Sequence, residues 1–198
     1  MEFAEVVRSR KMIRNYLDRP VDPGALERIL DSARRAPSAG NSQGQYLVAV
    51  TEPATRKAIA ELANEAAYVA SGLPPWMSTA PVHAVVCIRE NDYHARYREP
   101  DKLTDEGQEI EWPVPYWWVD GGATMMLVLL AAVAEGLSAG VFGPHRLDGL
   151  KELLKIPDDV SPVAVITIGH AASTATTGSA KRGRKRPDQV VYMERWGS

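Results

Sequence analysis

Hydrophobic positions along the chain fall into short runs whose period switches between helix and strand. Phe3, Val6 and Val7 recur at helical spacing and predict a brief first helix. Asp22 followed by Pro23 reads as an N-cap carboxylate with proline in the first turn, where its missing N–H is not needed. Leu26, Ile29, Leu30 and Ala33 then form one buried face, and Pro37 ends the helix because proline disfavours helical backbone before it. Tyr46 to Val50 predicts a strand, and Ala54 to Ala66 a helix burying Ile59, Leu62, Ala63 and Ala66. Pro81 to Ile88 is apolar almost throughout, as expected of a strand covered on both faces. From 91 to 114 no period is sustained, which predicts a long loop or irregular helical excursion of the kind that serves as a lid. Tyr116 to Glu135 is apolar most of the way round and predicts a central helix stopped by Gly136 at C′. Leu137 to Phe142 predicts a third strand and Leu147 to Leu154 a short helix ending before Pro157. Val163 to Ile168 predicts a fourth strand. Helices and strands interleave without repeat or boundary, so one α+β or α/β domain over 1–198 is expected, with 172–198 as a C-terminal arm.

The chain has 198 residues and a formal charge of −2, with 45% hydrophobic and 24% charged residues, the balance of an ordinary globular protein. The lone Cys87 excludes an internal disulfide and, within an apolar strand, reads as a core thiol. No signal-peptide pattern opens the chain, and the most apolar stretch, Gly121 to Ala134, is shorter than a bilayer span. A cytoplasmic protein is expected. The four histidines are dispersed and show no metal-ligand spacing, so no metal is expected; His83 reads as a core or edge residue and His145 as a weak site candidate. Neither a Gly-x-Gly-x-x-Gly turn nor a phosphate-binding Gly-Lys-Ser/Thr loop is present, and no nucleophile elbow. Any enzymatic chemistry is therefore expected from a cofactor.

Two basic clusters frame the chain. Arg10-Lys11-Met12-Ile13-Arg14 lies near the start, and Lys181-Arg182-Gly183-Arg184-Lys185-Arg186 near the end. Between them comes the small, amide-rich loop Ala36-Pro37-Ser38-Ala39-Gly40-Asn41-Ser42-Gln43. Cations suit a phosphate and the loop suits a polar ring, so a phosphorylated organic cofactor fits the combination. The terminal run could also be a solvated tail or a nucleic-acid patch. Against the latter, the chain is net acidic and the cations are not interleaved with aromatics. The arm carries Val190, Val191, Tyr192 and Trp196, which suit either a reach across a second subunit or a fold back onto its own.

Arg10-Lys11-Met12-Ile13-Arg14-x-Tyr16 with Pro20-Val21 resembles the opening motif of the nitroreductase family of FMN enzymes. The loop 36–43 is similar to that family's Ala-Pro-Ser-x-x-Asn-x-Gln. Arg186-Pro187, Val190-Val191 and Glu194-Arg195-Trp196 resemble its closing segment. The resemblance implies a mixed, mainly antiparallel sheet between helices, in a homodimer with the C-terminal arm exchanged. It implies that Arg10, Lys11, Met12 (through its backbone N–H) and Arg14, with Arg184, Lys185 and Arg186, hold the FMN phosphate and ribityl chain. Pro37, Ser38, Asn41 and Gln43 would meet the flavin from the other subunit, and Phe142-Gly143 would lie by its reactive edge. Trp112, Tyr116 and Trp117 would line the acceptor site or lid, although Trp117 and Trp118 equally suit dimer-core packing. Met12 stands where the family usually has serine, and Gly44 where proline often follows. The segment 91–118 looks more like an actinobacterial subgroup than the well-known bacterial enzymes. The implied activity is ping-pong hydride transfer from NAD(P)H through flavin N5 to a nitroaromatic or quinone. Other chemistry on the same scaffold (dehalogenation, flavin cleavage, deazaflavin-linked reduction) and a non-catalytic flavin binder are the alternatives. No membrane or nucleic-acid partner is implied.

Overall fold

The computed structural model describes residues 1–143, 147–173 and 182–197. In chain order the elements are α1 (Phe3–Ser9), α2 (Pro23–Ala33), β1 (Gln45–Val50), α3 (Pro53–Leu62), α4 (Glu65–Ala70), α5 (Trp76–Thr79) and β2 (Val82–Ile88). There follow α6 (Glu90–Tyr97), α7 (Tyr116–Ala134), β3 (Ser138–Phe142), α8 (Leu150–Leu154) and β4 (Ser161–Gly169). A single 3₁₀ turn covers Ala39–Asn41 and another covers Pro187–Gln189.

The four strands form one sheet in the order β1-β2-β4-β3, and all three neighbouring pairs are antiparallel. The mixed sheet expected from the sequence is thus wholly antiparallel in these strands. Its parallel component is a single bridge between Met12 and Ala139. Side chains alternate across the sheet because strand residues point to opposite faces. Val82, Ala84 and Val86 of β2, with Ile166 and Ile168 of β4, meet Ile29 and Ala33 of α2 and Val128, Leu129 and Ala132 of α7. Val85 and Cys87 of β2, with Val165 of β4 and Phe142 of β3, meet Ile59 of α3, Trp76 and Met77 of α5 and Leu150 of α8. The sheet is therefore sandwiched between two helical layers, and burial pushes the Cys87 thiol up to about 11. His83, on the second face, is fully buried, and its Nε2 meets the Met77 carbonyl at 2.8 Å.

Several boundaries follow from local chemistry. The Asp22 carboxylate accepts from the Ala25 N–H at 2.8 Å, as its cap position predicts. Gly136 sits at φ +73°, and its N–H and that of Leu137 donate to the Val133 and Ala132 carbonyls, a Schellman ending for α7. The single helix expected over 54–66 is instead two, α3 and α4, because Asn64 adopts φ +53° between them. Asparagine tolerates this left-handed backbone better than most residues. Glu65 then turns inward, its carboxylate accepting from the Met77 and Ser78 N–H groups at 2.6 and 3.1 Å to cap α5.

Of the irregular stretch after β2, only 90–97 is helical, and 98–115 has neither helix nor strand. In the arm, Val190 to Tyr192 form no strand. Helix α7 is long and apolar enough in composition to cross a membrane, but its inner face packs on the sheet. Contrary to the central position expected, its outer face leaves Trp118, Val119 and Met126 exposed in the single chain.

Candidate functional site

The first basic cluster is placed by the edge of the sheet. After α1 the chain runs beside β3, where the Ile13 N–H donates to the Ala139 carbonyl at 2.9 Å. Gly140 makes this approach possible: a Cβ there would lie 2.2 Å from the Ile13 carbonyl oxygen. The buried Tyr16 hydroxyl lies 3.0 Å from the Ile13 carbonyl and 2.8 Å from the Thr167 hydroxyl. Burial raises the phenol's pKa well above its usual value, so it stays a neutral donor. These bonds present Arg10, Lys11, Met12 and Arg14 along the outer edge of β3. Arg10 is half-buried, and its Nη1 is buried without a hydrogen-bond partner. The Arg14 guanidinium lies 5.5 Å over the Trp76 ring, and Trp76 meets Phe142 edge-on at 5.6 Å. From the second cluster, Arg184, Lys185 and Arg186 are exposed, with Arg186 paired to Asp188 at 2.8 Å. Lys181 and His145 lie outside the described residues.

The amide-rich loop is built at the opposite edge. Gly40, Asn41 and Gln43 all take positive φ, at 60°, 57° and 53°. Gln43 costs about 1–2 kcal/mol in that region and Asn41 less, because asparagine tolerates it, so the loop needs support. It has three kinds. The Ser38 hydroxyl oxygen accepts from the Gln43 N–H at 2.9 Å, which holds the turn from within. The Asp120 carboxylate, from the first turns of α7, accepts from the Ala39 N–H at 2.9 Å and from the Tyr93 hydroxyl at 3.0 Å. Arg96 of α6 donates to the Gly40 carbonyl at 2.9 Å. Tyr93 and Tyr97 press so closely that a Cβ on Gly44 or Gly40 would fall within 2.7 Å of their rings. Pro37 accepts from the Gln45 amide at 2.8 Å, and the Asn41 and Gln43 side chains are exposed. Asp120, Tyr93 and Arg96 were not signalled by motif: a lone aspartate in an apolar helix was the visible clue.

At the end of β3, Phe142 and Gly143 line a cavity of about 500 Å³ with Asn64, Ala67, Tyr68 and Met77. Its size is that of a small-ligand or cofactor site. Gly143 also borders a second cavity of about 420 Å³ walled by Trp118, Leu150, Lys151 and Pro162. Gln43 lines a third, of about 610 Å³, with Tyr46, Arg34 and Thr124. The predicted lid residues separate: Tyr116 is exposed, whereas Trp117 is buried against Tyr93, His94 and Trp112 of its own chain. Trp112 is half-buried above Tyr97, with ring centroids 4.6 Å apart.

Within one chain the two halves of the predicted site do not meet. Arg10 to Arg14 run beside β3 and the loop precedes β1, the two opposite edges of the sheet. Three inter-strand spacings separate those edges, roughly 14 Å.

Comparison with known proteins is consistent along nearly the whole chain. Residues 7–170 match the family model described as Nitroreductase family. An FMN reductase [NAD(P)H] of Bacillus subtilis is 31% identical over 96% of this chain and 74% of its own. A putative NADH dehydrogenase/NAD(P)H nitroreductase of Methanothermobacter thermautotrophicus is 28% identical over 99% of this chain and 88% of its own. Among solved structures, the hypothetical oxidoreductase YcnD of B. subtilis superposes with a TM-score of 0.73 at 27% identity, covering 98% of this chain and 75% of that one. NfrA2 of B. megaterium gives 0.76 at 24% identity, over 99% and 76%.

Proposed function

The chain belongs to the nitroreductase family, and on that premise we propose that it is an NAD(P)H-dependent flavin oxidoreductase of small electron-poor acceptors, working as a cytoplasmic homodimer of single-domain chains. When bound, FMN supplies the hydride chemistry, accepting from NAD(P)H and passing the pair to a nitroaromatic or quinone in ping-pong order.

The residues present fit that cofactor. The buried Nη1 of Arg10 has a donor to give and no acceptor among the described residues. A phosphate oxygen is the kind of acceptor a guanidinium takes. Lys11 and Arg14, with Arg184, Lys185 and Arg186 of the arm, would complete the anion site. Met12 offers only its backbone N–H. The cavity at Phe142-Gly143, lined by Asn64, Ala67, Tyr68 and Met77 without a charged side chain, would take the ring. Cations beside the ring's polar edge would stabilise negative charge arriving with the hydride. Pro37, Ser38, Asn41 and Gln43 would close the site from a second copy. The observation that carries this reading is the placement of loop and cations at opposite edges of one sheet.

An exchanged arm has support of the same kind. Strand β1 has an unpaired edge among the described residues, and Val190, Val191 and Trp196 of the arm are exposed in the single chain. The apolar outer face of α7 is likewise suited to a second copy. Trp112 and Tyr116 would screen the ring from water, with Trp117 as the buried anchor beneath them.

The purified protein should carry visible flavin absorbance, with one FMN released per chain, and sediment as a dimer. NADPH or NADH should bleach the flavin anaerobically, and a quinone or nitroaromatic should restore the colour. Parallel reciprocal plots should result when both substrates are varied. A colourless protein that takes up no added FMN would refute the proposal. Flavin that no reduced nicotinamide bleaches would leave a binding protein in its place.

A further inference from the structure

Residues 98–115 between α6 and α7 form no helix or strand, yet they are tied to α6 at two places: Arg96 holds Asp101 through paired bonds at 2.7 Å, and Glu109 holds the stretch that leads to Trp112. The Glu109 side chain, only 15% exposed, accepts from three donors. They are the Trp112 indole Nε1 at 2.8 Å, the Arg98 Nε at 2.8 Å, and His94 through Nδ1. The other ring nitrogen of His94 lies 3.3 Å from Glu90. Burial pushes the Glu109 carboxyl upward, but its hydrogen bonds from His94, Trp112 and Arg98 outweigh that and hold it below the usual range. An ionised carboxylate with this many donors is a fixed point, not a solvated loop residue.

What Glu109 fixes is Trp112. With its indole N–H held, the Trp112 ring meets Tyr97 at 4.6 Å, Trp117 at 5.6 Å and Tyr93 at 6.3 Å. Tyr97 in turn fills the space beside Gly40, and its neighbour Arg96 donates to the Gly40 carbonyl. One ring therefore separates Trp112 from the loop that carries Asn41.

We propose that Glu109 is a positioning residue for acceptor selection: it holds Trp112 down on Tyr97 beside the 38–43 loop, so that compact planar acceptors reach the ring site and extended ones are excluded. The inference rests on the reading that this loop meets the flavin. Glu109 itself need touch neither cofactor nor acceptor. Its effect passes through one hydrogen bond to Trp112.

The test uses the FMN-loaded protein at saturating NADPH, with a single-ring and a three-ring quinone as acceptors. In ping-pong turnover kcat/KM for the acceptor reports the oxidative half alone, so the ratio between the two quinones is insensitive to flavin reduction. Glu109→Ala should cut the preference for the small quinone roughly tenfold, the scale on which a pocket wall discriminates size. Glu109→Gln, whose carbonyl still accepts from Trp112, should restore most of it. Trp112→Phe, which keeps a ring but loses the bond, should behave like Glu109→Ala and serves if that variant fails to fold. Trypsin cleavage after Arg98 and Lys102 in the FMN-free chain gives a readout independent of turnover, and should be faster in Glu109→Ala. Faster cleavage with an unchanged quinone ratio would make Glu109 merely structural and overturn the proposal, as would unchanged cleavage. A parent protein that binds no FMN would instead sink the functional reading, and this inference with it.

Discussion

Replacing Gly140 by alanine tests whether the basic cluster is placed by backbone contact alone. The new methyl carbon would sit 2.2 Å from the Ile13 carbonyl oxygen and 3.0 Å from the Thr167 hydroxyl. Ordinary contact begins near 3.4 Å, so one of two packed backbones must retreat by more than 1 Å. Overpacking of this kind costs 1–3 kcal/mol as a rule, and the bond from Ile13 N–H to Ala139 adds about 1 kcal/mol when broken. The expected loss is about 3 kcal/mol, which for a chain of this length lowers the melting temperature by about 6–12 °C. Because the displaced residues are Arg10 to Arg14, FMN affinity should fall in the same variant. Differential scanning calorimetry of the apo protein and fluorescence titration with FMN measure the two separately. A variant that melts within a degree of the parent and binds FMN equally would refute the placement of the 10–14 segment.

Other substitutions probe each side of the site. Arg10→Ala should weaken FMN binding about 10- to 100-fold, the worth of a charge-assisted bond, with little change in melting of the apo chain. Isothermal titration would show it. Asp120→Ala leaves the Ala39 N–H and the Tyr93 hydroxyl without an acceptor and should cost about 2–4 kcal/mol, read as the urea midpoint, with faster hydrogen exchange at 39–43. Tyr16→Phe removes the hydroxyl from the Ile13 carbonyl and the Thr167 hydroxyl and should cost about 1–3 kcal/mol in the same assay. The Glu109 hydrogen bond raises the His94 pKa above its ordinary value. The stability this linkage adds is therefore full below about pH 6.5 and is lost as pH rises through the raised value. His94→Phe should flatten that part of the stability–pH curve, and an unchanged curve would mean that the His94–Glu109 bond adds no stability.

The sheet and its main helices were legible because each is announced by its own residues. The Asp22-Pro23 start, Gly136 at the end of α7 and the unbroken apolar run of β2 act through neighbours close in sequence. The break at Asn64 was not legible, since a left-handed residue inside a helical pattern is decided by what the following turn must cap, here α5 through Glu65. Both cation clusters and the 38–43 loop could be read from composition, but not that the first cluster and the loop occupy opposite edges, which depends on strand order. Asp120 stood out only as a lone aspartate in an apolar helix, and Glu109 not at all, for a related reason. The partners of Asp120 lie 81 and 27 residues away, and those of Glu109 on both sides of it.

That division of labour explains why the loop can hold a strained backbone. Asn41 and Gln43 carry their side chains outward from left-handed positions, a conformation their own sequence disfavours. The opposing energy comes from α6 and α7, through Tyr93, Arg96, Tyr97 and Asp120, all outside the motif. The same α6 tyrosines bear Trp112 on their other side, and Trp112 is set by Glu109. The 38–43 loop and the 98–115 segment are thus two faces of one aromatic support. A change in either face reaches the other through Tyr97, so loosening the segment at Glu109 should also raise hydrogen exchange at Gly40 and Asn41. If exchange there stays at the parent rate while the segment is freed, the two faces are independent.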